Sequence, residues 1–179
     1  MVIYTKRGDK GETALYDKES RQNIRVSKDS LRIRAIGAVD EANTFLGVCV
    51  SISDDNKLNK FLTRIQEDLF RIGSILAGAK LRFSKSKTKI LEKEIDKLEG
   101  TLPVLKNFIL PGGTQFATNL HVVRVGVRSA EREIVALSRA EEVRPEILTF
   151  LNRLSDYTFM LARKVNFEAK IKEKVWKGK

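Results

Sequence analysis

From residue 29 to near its end, the chain places apolar residues at intervals of three and four with little interruption. That spacing lines up side chains on one stripe of an α-helix and does not suit a strand, whose period is two. Five such stretches follow one another. The first covers residues 29–51 and carries Ala35, Val39, Ala42, Leu46 and Cys49, with Asp29 or Ser30 as its N-cap. The second covers 55–79, through Leu58, Leu62, Ile65, Leu69, Ile72, Leu76 and Ala79. Residues 81–89 are basic and serine-containing and read as a loop. The third helix is expected over 88–102, through Leu91, Ile95, Leu98 and Leu102, with Pro103 ending it. The fourth covers 114–139, through Leu120, Val123, Val127, Ala130, Ile134 and Leu137. Pro145 suits the first turn of a fifth helix, which carries Ile147, Leu151, Leu154, Thr158, Leu161 and Val165 and is expected to run to Trp176. The reading is an all-α fold: an up-down five-helix bundle over residues 29–176. It stands behind an irregular N-terminal loop over 1–28, and one domain spans 1–179.

A chain of 179 residues buries roughly 70% of its extended surface, enough to need no covalent or metal staple. With 42% hydrophobic and 32% charged residues it is too apolar for wholesale disorder. The single cysteine, Cys49, excludes an internal disulfide, and the single histidine, His121, excludes a multi-histidine zinc site within one chain. No apolar run approaches the ~18 residues of a membrane span. Residues 1–11 lack the apolar core of a signal peptide, so neither membrane insertion nor export is expected. The net charge of +11 points to an anionic partner. Part of it is a tail: residues 164–179 hold six lysines against Glu168 and Glu173, and read as a solvated helix end.

The fourth helix bears a second stripe. At ~100° per residue, His121, Arg124, Arg128, Glu131, Arg132 and Val135 share a face about 120° from the apolar one. Arginine forks onto carboxylates and phosphates, so three of them in line suit a polyanion. A solvated face on which Glu131 pairs with Arg128 explains the spacing equally well. The fifth helix offers Asn152, Asp156, Phe159 and Arg163 on one face, and the first offers Asp40, Asn43 and Gly47. Asp40 could answer an arginine of the fourth helix, since a buried aspartate without a partner is costly. Glycine turns such as Gly8-Asp9-Lys10-Gly11 can form an anion nest, but this one lacks the Gly-Lys-Ser/Thr ending of a P-loop. Residues 108–111, Phe-Ile-Leu-Pro, are too apolar for an ordinary exposed loop and suit a lid or a pocket wall.

Several segments in order carry a resemblance: Ile3-Tyr4-Thr5-Lys6 with Gly8-Asp9-Lys10-Gly11; Gly37-Ala38-Val39-Asp40-Glu41 with Asn43; Phe108-Ile109-Leu110-Pro111-Gly112-Gly113; His121 with Arg124, Arg128 and Ala130-Glu131-Arg132; and Leu151-Asn152-Arg153-Leu154-Ser155-Asp156-Tyr157. Together, from residue 3 to 163, they resemble the PduO-type ATP:cob(I)alamin adenosyltransferases. The resemblance implies a ferritin-like bundle without a di-metal centre, assembled as a cytoplasmic homotrimer with active sites between subunits. It implies transfer of the 5′-deoxyadenosyl group of ATP to the Co(I) of cobalamin, with Mg²⁺ bound mainly through the ATP phosphates and a separate reductase supplying electrons. Thr5, Lys6, Arg7, Gly8 and Thr13 fall on the nucleotide-binding loop, and Lys28 on a phosphate-binding lysine. Arg128 falls on the triphosphate arginine, and Glu131, Arg132 and Asn152 on further nucleotide contacts. Asp40 and Arg124 match a pair that bridges subunits. Phe108 matches an aromatic against the corrin ring, with His121 and Asp156 on the same cobalamin side. The resemblance departs at Arg7, where threonine is usual, at Ser129, where a further arginine is frequent, and at Ala42, which replaces a common leucine.

Two other readings compete. The same residues could build a non-catalytic trimer that delivers or senses the nucleotide or corrinoid. The charge alone would suit a nucleic-acid-binding helical protein, but aromatic residues are only 7% and no helix-turn-helix or RNA-binding motif appears. No nucleic-acid or membrane partner is therefore expected.

Overall fold

A computed structural model describes residues 3–17 and 20–178 of the chain; of the expected N-terminal segment, residues 1, 2, 18 and 19 lie outside the described residues. Each helix starts where the local chemistry allows. Ser30 caps α1 (Leu31–Ile52), its hydroxyl accepting from the Ile33 amide. Asp55 caps α2 (Asn56–Leu76), its carboxylate accepting from the amides of Lys57 at 2.8 Å and Leu58 at 3.0 Å. α3 spans Ser86–Glu99. Thr114 caps α4 (Gln115–Ser138) by accepting from the Ala117 amide at 3.0 Å. Pro145 takes the first position of α5 (Pro145–Glu168), where its missing N–H costs nothing.

The stripes pack as their spacing implies. α1 lies between α2 and α4, α5 lies against α4, and α3 covers the far side of α5. Leu46, Leu62, Leu69, Ile72, Leu120, Ile134, Leu151 and Leu154 are fully buried in a shared core that Leu91 of α3 joins. Edge-to-face ring pairs tie further elements to α5, Phe61 to Tyr157 at 5.5 Å and Phe83 to Phe150 at 5.2 Å. α1 and α4 cross closely at Ala42 and Gly126. A Cβ placed on Gly126 would meet the Ala42 Cα at 3.4 Å. Ala42 is therefore the small residue that lets α4 approach. α1 is also the one helix among the described residues long and apolar enough to cross a membrane by length and composition. Its stripe of Ala35, Val39, Ala42, Leu46 and Cys49 packs inside the bundle.

Four expectations are corrected. The N-terminal segment is not wholly irregular, nor the fold wholly helical: β1 (Glu12–Asp17) and β2 (Gln22–Ser27) form an antiparallel hairpin, with Leu15 opposite Ile24 and Thr13 opposite Val26. These four residues alternate inward, a period-two signal only two residues deep on each strand. The hairpin rests on the end of α2, where any side chain at Gly78 would collide with the Tyr16 carbonyl. Second, α3 takes in Ser86 and Lys87 from the expected loop and ends at Glu99. Pro103 lies beyond it, after turns in which Thr101 and Leu102 donate to Leu98 and Glu99. Third, α5 stops at Glu168 instead of reaching Trp176, because Lys170 takes a left-handed conformation (φ 57°) that reverses the chain. Fourth, the basic tail is consequently no helix end: it returns as an extended strand, and Val175 bridges Ile109 in antiparallel fashion.

Candidate functional site

The residues read as a second stripe all lie along a ridge of α4, but only Arg128, Arg132 and Val135 are exposed; Arg124 and Glu131 are half-buried, and His121 is buried, not on an open polar face. Arg124 is half-buried, and its Nε atom has no hydrogen bond. Burial and the neighbouring Arg128 guanidinium both pull its pKa below the ordinary arginine value. Arg128 and Arg132 are exposed and make no ion pair among the described residues. Glu131 does not neutralise Arg128; it accepts from the Asn152 amide on α5 at 3.1 Å. Asn152 thus joins the ridge, while Asp156, one turn further on, pairs with Arg153 at 2.7 Å. His121 is 5% exposed, packs its ring against Phe159 at 6.0 Å, and leaves Nδ1 without a partner. Burial, followed by the Arg124 charge, lowers its pKa, and Glu173 opposes them.

Asp40 is exposed on α1 and pairs with no arginine among the described residues. The α1–α4 ion pairs are made instead by Arg34 with Glu133 at 2.8 Å, while Arg32 reaches Glu141 just beyond α4. An open cavity of about 420 Å³ on this face is lined by Glu41, Phe45, Pro111, His121, Arg124 and Gly126. Cys49 takes no part: it is buried in the core, and burial raises its thiol pKa to about 11.

The N-terminal loop is ordered by its own backbone. Lys6 (φ 56°) and Gly11 (φ 79°) both take left-handed conformations. The Asp9 amide donates to the Lys6 carbonyl and the Gly11 amide to the Gly8 carbonyl. Lys28 closes the loop twice: its amide donates to the Gly11 carbonyl at 2.8 Å and its Nζ to the Gly8 carbonyl at 3.0 Å. Two ammonium protons remain for an anion. Arg25 Nη2 donates to the Arg7 carbonyl at 2.6 Å. Thr5, Lys6 and Arg7 are exposed, and Thr13 is half-buried on β1. No hydrogen bond or ion pair among the described residues joins this loop to the α4 ridge.

The apolar segment before α4 is a flap. Phe108 is 79% exposed, and its ring meets that of Trp176 edge-on at 6.5 Å. The flap is paired with the returning tail: the Leu110 amide donates to the Lys174 carbonyl and the Trp176 amide to the Phe108 carbonyl, each at 2.8 Å. Three residues of this arrangement were not read as site elements from the sequence, namely Asn166, Glu173 and Trp176, and Arg163 was noted only as part of a polar face. The available signal was Arg163 and Asn166 standing in the apolar run Leu161, Ala162 and Val165. Among the described residues no group of three or more His, Cys, Asp or Glu could hold a metal ion alone.

A helical bundle with a row of unneutralised guanidinium groups on one helix, beside an exposed aromatic flap, has the chemistry to hold a polyphosphate next to a large apolar surface. The family model described as cobalamin adenosyltransferase matches residues 3–165, and the chain belongs to that family. It is 41% identical to the corrinoid adenosyltransferase of Bacillus subtilis, an alignment covering 93% of this chain and 87% of the relative. It is 37% identical to the corrinoid adenosyltransferase PduO of Citrobacter freundii over 94% of this chain, which spans about half (51%) of that longer protein. Among solved structures it matches a variant PduO-type ATP:corrinoid adenosyltransferase of Lactobacillus reuteri complexed with cobalamin and ATP. The TM-score is 0.90 at 38% identity, covering 99% of this chain and 100% of the other.

Proposed function

We propose that this chain transfers the 5′-deoxyadenosyl group of ATP to the Co(I) of cobalamin, giving adenosylcobalamin and triphosphate. Family membership over nearly the whole chain supports the reaction type. The observation in this chain that carries the reading is the α4 ridge, on which Arg124, Arg128 and Arg132 present charge that pairs with no carboxylate among the described residues.

In the reaction the Co(I) electron pair forms the Co–C5′ bond while the C5′–O5′ bond breaks, and the triphosphate leaves with the bonding pair of that C5′–O5′ bond. Negative charge builds on the leaving group, so preorganised cations at its position lower the barrier. Arg128 holds the triphosphate, with Arg132, Glu131 and Asn152 fixing the nucleotide around it. Thr5, Lys6, Arg7, Gly8, Thr13 and Lys28 form the other jaw, supplied by a neighbouring subunit. Mg²⁺ bound to the ATP phosphates would supply further charge neutralisation there. The donor set fits this role, since Mg²⁺ takes few protein ligands when phosphates coordinate it, and Glu131 keeps one carboxylate oxygen free. No side chain has to act as a general base, because no proton leaves C5′. Phe108 faces the corrin ring, with His121 and Asp156 on the same side, and its apolar wall keeps the lower ligand and water from cobalt. Removing that ligand makes Co(II) easier to reduce to the nucleophilic Co(I), with the electron coming from a separate reductase.

The assembly we propose is a cytoplasmic homotrimer of ferritin-like bundles, in which Asp40 and Arg124 pair across subunits. Chemically reduced cobalamin, mixed with ATP, Mg²⁺ and the protein, should lose its Co(I) spectrum and gain that of an alkylcobalamin. Arg128→Ala should slow this conversion by about a hundredfold or more with unchanged helicity and oligomeric state. Undiminished turnover in that variant would refute the assigned role. Binding without conversion by the wild-type protein would favour a non-catalytic carrier or sensor.

A further inference from the structure

We infer that Arg163 and Asn166, one turn apart on α5, are positioning residues that hold the Phe108 flap in place through the C-terminal strand. This rests on the reading of Phe108 as the wall that strips cobalt of its lower ligand.

Burial of its own side chains fixes the flap only in part, through the half-buried Ile109. Phe108 is 79% and Leu110 43% exposed. Its backbone hydrogen bonds go to the tail, so the flap is only as well placed as residues 174–176. Nor is the tail held by close packing. A cavity of about 700 Å³ opens along it, lined by Pro103, Arg163, Phe167, Ile171 and Val175. What ties the tail to the bundle is polar. The Arg163 side chain is 4% exposed and donates to both carboxylate oxygens of Glu173, at 2.8 and 3.3 Å. Its Nη2 also donates to the Pro103 carbonyl at 2.9 Å. A guanidinium buried this deeply is tolerated only when its charge and donors are answered, and Glu173 supplies the charge.

Asn166 secures the other end. Its Nδ2 donates to the Gly112 carbonyl at 2.8 Å and its Oδ1 accepts from the Thr114 amide at 3.0 Å. Its backbone carbonyl accepts from the Ile171 amide at 2.9 Å, which helps turn the tail back. Gly113 (φ 113°) leaves the room the Asn166 side chain occupies, and a Cβ there would collide with it. The flap is therefore strung between Pro103 and Gly112, each hydrogen-bonded from α5, with the latched tail strand alongside.

An aromatic wall displaces a ligand only if it stays at one position. Loss of the latch should therefore harm reaction with cobalamin, whose lower ligand must be removed, more than with cobinamide, a corrinoid lacking that nucleotide ligand. The test compares Arg163→Met, Arg163→Lys and Glu173→Gln with the wild-type protein, using both corrinoids and ATP. Emission from Trp176, the single tryptophan, reports whether the tail stays docked. In Arg163→Met and Glu173→Gln, kcat/KM for cobalamin should fall about tenfold or more, the loss with cobinamide should be several-fold smaller, and KM for ATP should stay within about twofold. Arg163→Lys should recover part of the loss. If Arg163→Met does not fold, Glu173→Gln, at a partly exposed partner, decides alone. Equal losses on the two corrinoids, or no loss at all, would overturn the latch. Should Phe108→Ala itself fail to discriminate between the corrinoids, the role of the wall falls instead, and the latch with it.

Discussion

At the scale of single residues, His121 has the most telling environment. It sits on α4 between Arg124, which disfavours its proton, and Glu173 of the returning tail, which favours it, with Phe159 against its ring. Burial and Arg124 win, so its folded-state pKa lies below the ordinary 6.5. Between the two values the unfolded chain binds the extra proton, and stability therefore rises with pH. The contribution is complete above about pH 6.5 and is lost as pH falls through the folded value. Urea midpoints at pH 7.5 and pH 5.5 should show a larger acid-side drop for the wild-type protein than for His121→Gln. Equal drops would mean that His121 is not held neutral. The ridge to which this residue belongs was legible in the sequence, because one helix carries all of it at fixed angular spacing. The partners were not. Glu131 bonding to Asn152, and Arg163 to Glu173, are contacts between elements that no local period encodes.

At the scale of elements, the close crossing of α1 and α4 is the most exacting contact. Gly126 meets Ala42 with no space for branching, so Gly126→Val should overpack the crossing and cost about 1–3 kcal/mol, read as a lower urea midpoint at an unchanged denaturant slope. A core truncation such as Leu154→Ala acts oppositely, by leaving a void, and should cost about 2–5 kcal/mol. Long stripes such as that of α2 announced themselves, and Ser30, one of the two caps read for the first helix, marks its start. The hairpin did not. Its inward residues, Thr13, Leu15, Ile24 and Val26, are too few to establish a period against the surrounding charges. The end of α5 was hidden for another reason: residues 169–176 have ordinary helix formers, and only tertiary pairing with the flap makes the turn at Lys170 worthwhile.

At the scale of the whole molecule, the proposed assembly rests on groups left over within one chain. Among the described residues Asp40 pairs with no arginine, Arg124 Nε has no hydrogen bond, and no bond joins the glycine loop to the ridge. A trimer that joins these halves should sediment at three times the 20.3 kDa chain mass. Asp40→Ala should weaken the assembly and depress adenosylation, with mass and rate measured on the same sample. A protein that stays monomeric at full activity would contradict this arrangement. Unpaired groups of this kind cannot be read from apolar stripes, which describe only how a chain folds on itself.

α4 has a consequence of its own. Its buried side fills the core, its flank admits α1 at Gly126, its outer row carries the guanidinium groups, and His121 feels the charge of Glu173 in the tail. Few of its positions are free to drift. α3, which packs chiefly against α5 and buries only Thr88 and Leu91, should accept changes far more readily, so a saturation library screened for function would show a rigid fourth helix and a permissive third.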